Sequence, residues 1–383
     1  MQLNVVILTN YVPPYRIPFF KELEKRFYNL FLLISTKEIK HCKSVVFKNL
    51  KIVNQRSVVI KRNIKHAHGF SELIAIHLPY DTLSQLIEIK PEVIISGELG
   101  FRTLNALIYK KIRKDVVLIY WATLSQHTEK SRGFLRNLFR RWILPQADAI
   151  VVNGSSGERY IRQMGISKDM IFRVPYTHGL NIEIEQLPVL NRFIKDRILY
   201  VGQLIERKGL QPFINTLCRW AESNPEKQIR FELAGDGPLR PILEKMSLPG
   251  NLKFKFWGNL PYDQLPNLYA RGGIFAFPSL ADEWGVVINE AMAAGLPVLG
   301  SLYCQAVNEM VKDGVNGWTF RPDYPDEIFS ALERANNALD EELLEMSRQA
   351  RTTAMAFSPD SAADKMLAVI DWCIARKHKT GQM

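Results

Sequence analysis

Residues 278–297 read PSLADEWGVVINEAMAAGLP. A short apolar strand pattern ends at Pro278, a loop with two acidic residues and one glycine follows, and a helical pattern runs from about Gly285 to Ala294. The first turn of such a helix has unpaired N–H groups and a partial positive charge, which together favour a bound phosphate. This strand–loop–helix unit predicts a doubly wound α/β domain with a ligand site at the loop.

Two carboxylates in this stretch are candidates for ligand binding. Glu290 lies five residues into the predicted helix, roughly 7 Å along the axis, where it could bond a ribose while a pyrophosphate lies at the helix end. Asp282 precedes the helix and could bond the hydroxyls of a sugar beyond the phosphate. Alternatively, Asp282 and Glu283 only favour the helix start electrostatically and Glu290 is a solvated carboxylate. The apolar residues on both sides of Glu290 favour the functional interpretation.

The alternation of strand and helix recurs along the whole chain. In the first half, strands are predicted at Leu3–Thr9, Leu30–Ser35, Val93–Ser96, Val116–Trp121 and Ala149–Asn153, and helices at Arg16–Phe27, Glu72–Ile89, Arg102–Arg113, Gly133–Leu144 and Ser155–Met164. In the second half, strands are predicted at Ile198–Val201, Ile229–Ala234, Leu252–Trp257, Ile274–Pro278 and Val298–Gly300. The polar stretch Asn181–Asn191 is expected to link two domains.

The predicted architecture is therefore α/β, with two doubly wound Rossmann-like domains facing across a cleft. Residues 1–185 form the first domain and residues 186–360 the second. A C-terminal helix, residues 361–383, could pack back on the first domain. Because open α/β sheets bind ligands at the carboxyl ends of their strands, the active site is expected in the cleft.

Further short motifs lie in order along the second half. They are VGQLIERKG at 201–209, AGDGPL at 234–239, FWG at 256–258, LY at 268–269 and DGVNG at 313–317. Together with the Asp282-x7-Glu290 spacing, they resemble the signature of retaining glycosyltransferases of family 4, the glycosyl transferases of group 1. The resemblance is strong over residues 195–325, and it implies a GT-B fold and a nucleotide-diphosphate sugar as the donor.

The resemblance also implies that Arg207 and Lys208 hold the diphosphate, while Asp282 holds the donor sugar and Glu290 the ribose. Fixed cations stabilise the charge that builds up on a leaving diphosphate more in the transition state than in the ground state. The chain has Gln203 where the family usually has an arginine. Either Arg207 takes over its role, or the leaving group receives less stabilisation.

The remaining donor-site candidates are Trp257, Gly258, Trp284, Gly285 and Val286, of which the first two would contact the base through their backbone. His127 follows the predicted strand Val116–Trp121 and resembles the active-site histidine that many family members place over the donor sugar. A neutral imidazole could bond a sugar hydroxyl or orient an acceptor; alternatively, His127 is a surface residue. Neither a metal ion nor a cofactor is expected, since the cations and the helix end can replace a divalent ion.

The chain has 383 residues with a formal net charge of +11. Residues 1–180 contain 28 Lys and Arg against 13 Asp and Glu, a net +15, and the remainder carries −4. Within the basic half, residues 133–144 predict an amphipathic helix. It could pack its apolar side on the core beneath a solvated basic face, or contact anionic lipid headgroups or a diphosphate-linked lipid acceptor. Nucleic acid is not expected, because no recognition module accompanies the charge.

No apolar run approaches the roughly 20 residues that cross a bilayer, and the first residues lack a secretory signal pattern. The expected location is the cytoplasm, at the inner face of the cell membrane if the basic half binds lipid. The predicted function is retaining transfer of a sugar to a lipid-linked or polysaccharide/glycan intermediate. The alternative is a non-catalytic sugar-nucleotide-binding subunit of a glycan-assembly complex, which Gln203 favours. A dinucleotide oxidoreductase fits less well, because Gly235-x-Gly237 lacks the third glycine of that fingerprint.

Overall fold

A computed structural model describes residues 3–36, 49–130, 132–180, 195–379 and 381. The chain divides into two compact units, Met1–Gly179 with Pro359–Met383 (the first unit) and Leu180–Ser358 (the second unit). The predicted linker Asn181–Asn191 and the predicted boundary at residues 185 and 186 lie outside the described residues.

The first unit is built on a parallel sheet. Its strands are β1 (Asn4–Thr9), β2 (Asn29–Ile34), β3 (Leu50–Asn54), β6 (Val93–Gly97), β7 (Val117–Ala122), β8 (Ala149–Val152) and β9 (Ile171–Arg173). They lie in the order β3-β2-β1-β6-β7-β8-β9. The central strands are almost entirely buried and apolar, as expected for a parallel sheet that is covered on both faces. The strand order reverses between β1 and β6, and this is the switch point of the first sheet.

The helices of the first unit are α1 (Ile17–Arg26), α2 (Thr82–Ile89), α3 (Phe101–Ile112), α4 (Gln126–Glu129), α5 (Phe134–Ile143), α6 (Ser155–Gln163) and α14 (Pro359–Lys379). The last of these packs against α1 and β7. At its start, Asp360 and Asp364 pair with Arg26 at 2.6 and 2.7 Å. At its end, Lys377 Nζ donates to two backbone carbonyls that precede β7, each at 2.8 Å.

A β-hairpin replaces part of a predicted helix. The strands β4 (Ser57–Lys65) and β5 (Ser71–Pro79) pair antiparallel, with Ile60 opposite Ile76. The helix predicted over Glu72–Ile89 is therefore wrong in its first half and confirmed only as α2. The apolar residues of β5 include Ile74, Ile76 and Leu78, which alternate with the period of a strand.

The second unit also has a parallel sheet. Its strands are β10 (Arg197–Val201), β11 (Ile229–Ala234), β12 (Leu252–Gly258), β13 (Ile274–Phe277), β14 (Val298–Ser301) and β15 (Gly317–Phe320). They lie in the order β12-β11-β10-β13-β14-β15, with the switch point between β10 and β13. The five strands predicted in this half are confirmed, and β15 is an addition that the sequence did not predict.

The helices of the second unit are α7 (Leu210–Ser223), α8 (Arg240–Glu244), α9 (Leu265–Tyr269), α10 (Val286–Ala293), α11 (Gln305–Met310), α12 (Pro325–Asn337) and α13 (Asp340–Met355). The predicted α/β class with two doubly wound Rossmann-like domains is thus confirmed. Over the described ranges, no helix is both long enough and apolar enough to cross a membrane.

Candidate functional site

The loops that follow β10 and β13 meet at the switch point of the second sheet. The Leu280 N–H donates to the Arg207 carbonyl at 2.9 Å, and the Ser279 hydroxyl donates to the same carbonyl at 3.2 Å. Gly209 has φ +64°, and a Cβ there would overlap the carbonyl oxygen of Pro278. Backbone therefore packs on backbone at the place where an open α/β sheet binds its ligand.

Asp282 is the central carboxylate of this junction. Its Oδ2 atom pairs with Lys208 Nζ, lies 3.6 Å from Arg207 Nη1 and accepts a hydrogen bond from the Ser279 hydroxyl at 3.3 Å. Burial by itself raises the pKa of Asp282, but the charges of Lys208 and Arg207 outweigh it and hold this pKa below its usual value. The carboxylate is thus ionised and fixed, and the cluster of these three charged residues carries a net positive charge.

The start of α10 is fixed by the residues before it. Gly285 has φ +93°, and a Cβ there would lie 2.7 Å from the Cys304 sulfur. The buried Trp284 donates its indole N–H to Asn289 at 2.7 Å, and its carbonyl accepts from the Ala306 N–H at 2.8 Å. Val286 is the first residue of the helix. A rigid loop therefore precedes the helix N-terminus that the sequence predicts to face a phosphate.

Glu290 is buried, so the interpretation as a solvated carboxylate is wrong. Its two oxygens accept hydrogen bonds from the hydroxyls of Tyr262, at 3.1 Å, and Tyr269, at 3.0 Å. Burial raises the pKa of Glu290 to about 7, although the two tyrosine hydrogen bonds act in the opposite direction. Sequence reasoning noted Tyr269 only as part of a motif and missed Tyr262, whose role depends on a contact 28 residues away.

Trp257 and Gly258 end β12, two strands from β10 in the sheet. The Gly258 carbonyl accepts from the Gly235 N–H at 2.7 Å. The Trp257 indole N–H donates to Glu232 at 2.8 Å, and Lys255 Nζ lies 3.8 Å from the centre of the indole ring. At a strand spacing of about 4.8 Å, these residues lie roughly 10 Å from the loop after β10 along the same edge of the sheet.

A second polar cluster lies at the switch point of the first sheet. The buried Arg102 donates to Asn10 Oδ1 at 2.5 Å and to the Ser35 hydroxyl at 2.7 Å, and pairs with Glu98 at 3.4 Å. Glu98 is exposed and has φ +68°, a left-handed conformation that is uncommon outside glycine. Sequence reasoning missed this cluster. The sequence does contain an indication of this cluster, because Glu98 is an acidic residue that closely follows the predicted strand Val93–Ser96.

His127 lies in the first unit, whereas the other nine predicted site residues lie in the second. It is half-buried on α4, which follows β7, and its ring centre is 6.2 Å from that of His68. The Ser125 hydroxyl accepts from the Thr128 N–H at 3.2 Å and caps this short helix. His127 is thus held after the carboxyl end of a strand, as its position in the sequence predicts.

Comparison with known proteins places the second unit in a family. Residues 195–337 match the family model described as "Glycosyl transferases group 1". The chain is 29% identical over 45% of its length to the alpha-D-kanosaminyltransferase of Streptomyces kanamyceticus, and 23% identical over 64% of its length to the gpi3 subunit of the phosphatidylinositol N-acetylglucosaminyltransferase of Schizosaccharomyces pombe. These matches span 44% and 48% of those two proteins. Residues 195–337 form a group 1 glycosyl transferase domain.

This glycosyl transferase domain contains the whole cluster at the second switch point, together with Trp257 and Glu290. His127 and Glu98 lie outside the matched residues. The complete fold is similar to that of HepE from Anabaena in complex with UDP-glucose, with a TM-score of 0.69 over 97% of this chain and 100% of the other, at 16% identity. At this identity the similarity shows the fold, and the predicted GT-B fold class is confirmed.

Among the described residues, no group of three or more His, Cys, Asp or Glu side chains is placed to hold a metal ion. The polar atoms gathered at the second switch point are instead two cations and one carboxylate, which is a donor set suited to an anionic ligand.

Proposed function

We propose that the chain is a retaining glycosyltransferase of family 4. It moves a sugar from a nucleotide-diphosphate sugar, held by the glycosyl transferase domain, to an acceptor held by the first unit. The observation that carries the proposal is the junction of Arg207, Lys208 and Asp282 at the second switch point. A cationic site there suits the diphosphate of the donor, and a fixed, ionised carboxylate suits the hydroxyls of its sugar.

The two cations act on the leaving group. As the bond between the sugar C1 and the diphosphate oxygen breaks, negative charge builds up on the diphosphate. The new bond forms between C1 and the acceptor oxygen, whose proton passes to the departing diphosphate. Arg207 and Lys208 are held in advance by Asp282 and by the Ala281 carbonyl. Little reorganisation is then needed to stabilise that charge, and such preorganisation is a large term in catalysis.

The rest of the donor extends along the edge of the sheet. Glu290 bonds the ribose through a carboxylate whose oxygens already accept two tyrosine hydroxyls. Gly285 and Val286 present the start of α10 to the diphosphate, with Trp284 as the buried support of the loop. The backbone of Trp257 and Gly258 contacts the base, at a distance along the sheet edge that suits a nucleotide.

For the acceptor, we propose a lipid-linked or polysaccharide/glycan intermediate. The name of the Schizosaccharomyces pombe relative refers to a phosphatidylinositol acceptor, and the first 180 residues of this chain carry a net +15 that would attract an anionic acceptor. His127 orients that acceptor or bonds the donor sugar. The alternative function is a non-catalytic sugar-nucleotide-binding subunit, favoured by Gln203 in place of the family's usual arginine.

Thermal unfolding in the presence of sugar nucleotides tests the donor proposal. A ligand that binds only the folded chain raises its stability, by about 2.7 kcal/mol at one hundred times its Kd. We expect UDP-glucose or another nucleotide-diphosphate sugar to raise Tm, and inorganic phosphate at the same concentration to have no comparable effect. If no member of a panel of nucleotide-diphosphate sugars stabilised the chain, both the enzyme and the binding-subunit proposals would be wrong.

Transfer or hydrolysis of the stabilising donor separates the two proposals, because only the enzyme releases nucleoside diphosphate. We further propose that transfer needs no divalent metal ion, since Arg207 and Lys208 neutralise the diphosphate. Activity should therefore persist in EDTA, and loss of activity that is restored by manganese would contradict this claim.

A further inference from the structure

The helix α5 exposes its apolar side chains. Its sequence is FLRNLFRRWI, and four apolar residues lie on one exposed arc at helical spacing. They are Phe134 (77% exposed), Leu135 (79%), Leu138 (55%) and Trp142 (50%). We call these four residues the α5 apolar face.

The arginines on the opposite side of α5 are turned inward. Arg140 is buried, and its Nη1 atom contacts Glu129 at 2.5 Å and the Tyr160 hydroxyl at 2.6 Å. Arg136 pairs with the other oxygen of Glu129 at 3.1 Å. The predicted alternative is therefore only partly correct: Ile143 packs on the core as that alternative predicts, but Arg136 and Arg140 turn inward beside it, and the four residues of the α5 apolar face are exposed.

This orientation is unfavourable for a helix that faces only water. Burying an Arg–Glu pair costs desolvation that the pairing barely offsets, and contiguous exposed apolar residues gain nothing from water. Exposed apolar patches of this kind mark surfaces that contact a partner or a membrane. The α5 apolar face therefore needs an occupant.

The charge around the face identifies that occupant. Arg141 is exposed on the same side of the helix, and Lys130 is exposed just before it. Both belong to the part of the chain with a net +15. A second copy of the chain would bring the same positive charge against this surface, whereas an anionic bilayer complements it. Trp142 and Phe134 also suit a bilayer, because aromatic rings are favoured at the membrane interface.

We propose that α5 docks the chain on an anionic lipid surface, with the α5 apolar face inserted among the headgroups and Arg141 paired with lipid phosphate. A ten-residue helix that inserts four apolar side chains gives weak, reversible attachment rather than permanent anchoring. The inference goes beyond the proposed function and does not rest on it, since it predicts lipid binding whether or not the chain transfers a sugar.

Vesicle co-flotation with the full chain tests the docking surface. We expect binding to vesicles of phosphatidylcholine with phosphatidylserine, weakened by added salt, and little binding to phosphatidylcholine alone. The double variant Leu135→Ser/Leu138→Ser should lose affinity about tenfold or more. The matched control is Ile242→Ser/Met355→Ser, which changes two comparably exposed residues of the second unit and should bind as the wild type does.

Two single variants refine this test. Arg141→Gln should weaken binding about fivefold, the contribution of one arginine near an anionic surface. Trp142→Phe should still bind, but should lose the part of the fluorescence blue shift on lipid addition that comes from an inserted indole. That loss would not occur if Trp142 merely stabilised the helix.

Three outcomes would overturn the proposal. The first is absence of binding to the anionic vesicles, and the second is equal loss in the control pair and the α5 pair. The third is a concentration-dependent dimer in sedimentation that the α5 pair abolishes, which would make a second copy the occupant. Thermal unfolding of each variant checks that the variant is folded. Donor-induced stabilisation should be unchanged in the α5 pair, so a failure of lipid binding can be told apart from a failure of the glycosyltransferase proposal.

Discussion

In the second unit, the switch point brings Asp282, Arg207 and Lys208 together in a largely buried cluster whose carboxylate is held on several sides. In the first unit, the corresponding switch point joins Asn10 and Arg102 to Glu98, whose side chain is half exposed. The two sheets have the same topology around their switch points but differ in how firmly the charged groups there are held. We infer that the second unit binds the diphosphate, the group that all nucleotide-diphosphate sugars share. The first unit binds the acceptor, whose structure is more variable.

The largest expected effect is at Lys208. Lys208→Ala should lower kcat about 10² to 10³-fold, since it removes a preorganised cation from the leaving group. Tm should also fall, because the buried Asp282 loses its pairing with Lys208, while Arg207 lies farther away at 3.6 Å. Donor turnover and thermal unfolding measure the two effects, and Lys245→Ala, on the exposed end of α8, is the matched control. Wild-type turnover in a folded Lys208→Ala chain would refute the assigned role.

The next largest effect is at Glu290, where the prediction concerns pH. With a pKa of about 7, the carboxylate becomes protonated as the pH falls below neutrality, and the ribose then loses an ionised acceptor. We expect the donor KM of the wild type to rise as the pH is lowered from 8 to 6, about tenfold over these two units. Glu290→Gln should have a KM that is raised at all pH values and nearly flat, whereas Glu222→Gln, on exposed α7 surface, should follow the wild type. A flat wild-type profile would contradict the role of this carboxylate.

The raised pKa of Glu290 also predicts how the free energy of unfolding depends on pH. The pKa of Glu290 is raised from 4.5 in the unfolded chain to about 7 in the folded one, so between these values the folded state keeps a proton that the unfolded state has released. The stability that this proton contributes is fully present below pH 4.5 and is lost as the pH rises through 7, on the order of 3 kcal/mol in total. The free energy of unfolding of the wild type relative to Glu290→Gln should therefore fall between pH 5 and pH 8. A difference that is constant over this range would show that Glu290 ionises normally.

The sequence predicted the second switch point better than the first for a physical reason. Buried parallel strands such as β13 are continuous apolar runs, so their carboxyl ends, and hence loops such as the one with Asp282, can be found without a structure. The hairpin β4–β5 is largely exposed, and the apolar residues of β5 satisfy a helical as well as a strand pattern locally. The pairing of β5 with β4 decides between a helix and a strand, and the periodicity of the sequence contains no information about that pairing.

Side-chain direction was the other limit of sequence reasoning. The amphipathic pattern of α5 predicted a helix with two faces, but not which of them would be buried. That choice depends on Glu129 and Tyr160, which lie on other helices and receive Arg140. The role of Tyr262 likewise depends on a tertiary contact with Glu290.

A smaller effect is expected at His127, in the unit that the family match does not cover. If His127 bonds a sugar hydroxyl or orients the acceptor, His127→Ala should lower kcat about tenfold, the value of a lost hydrogen bond. Donor-induced stabilisation should fall if His127 bonds the donor sugar, and it should not change if His127 orients the acceptor, because the proposed diphosphate and ribose contacts lie on the second unit. His68→Ala is the matched control, since its ring is the near neighbour of His127. Equal losses in both variants would indicate a structural role for the pair.

The smallest effect tests the first switch point itself. Glu98→Gln keeps the size of the side chain and a hydrogen-bonding oxygen for Arg102 but removes the charge. If this cluster meets the acceptor, the acceptor KM should change about threefold to tenfold, while the donor KM and the pH profile set by Glu290 stay the same. Glu92→Gln, at the other end of β6, is the matched control, because ligands of open α/β sheets bind at the carboxyl ends of the strands. A change in donor KM instead would mean that the cluster of Glu98 and Arg102 contacts the donor. The inference that the first switch point binds the acceptor and the second the donor would then be wrong.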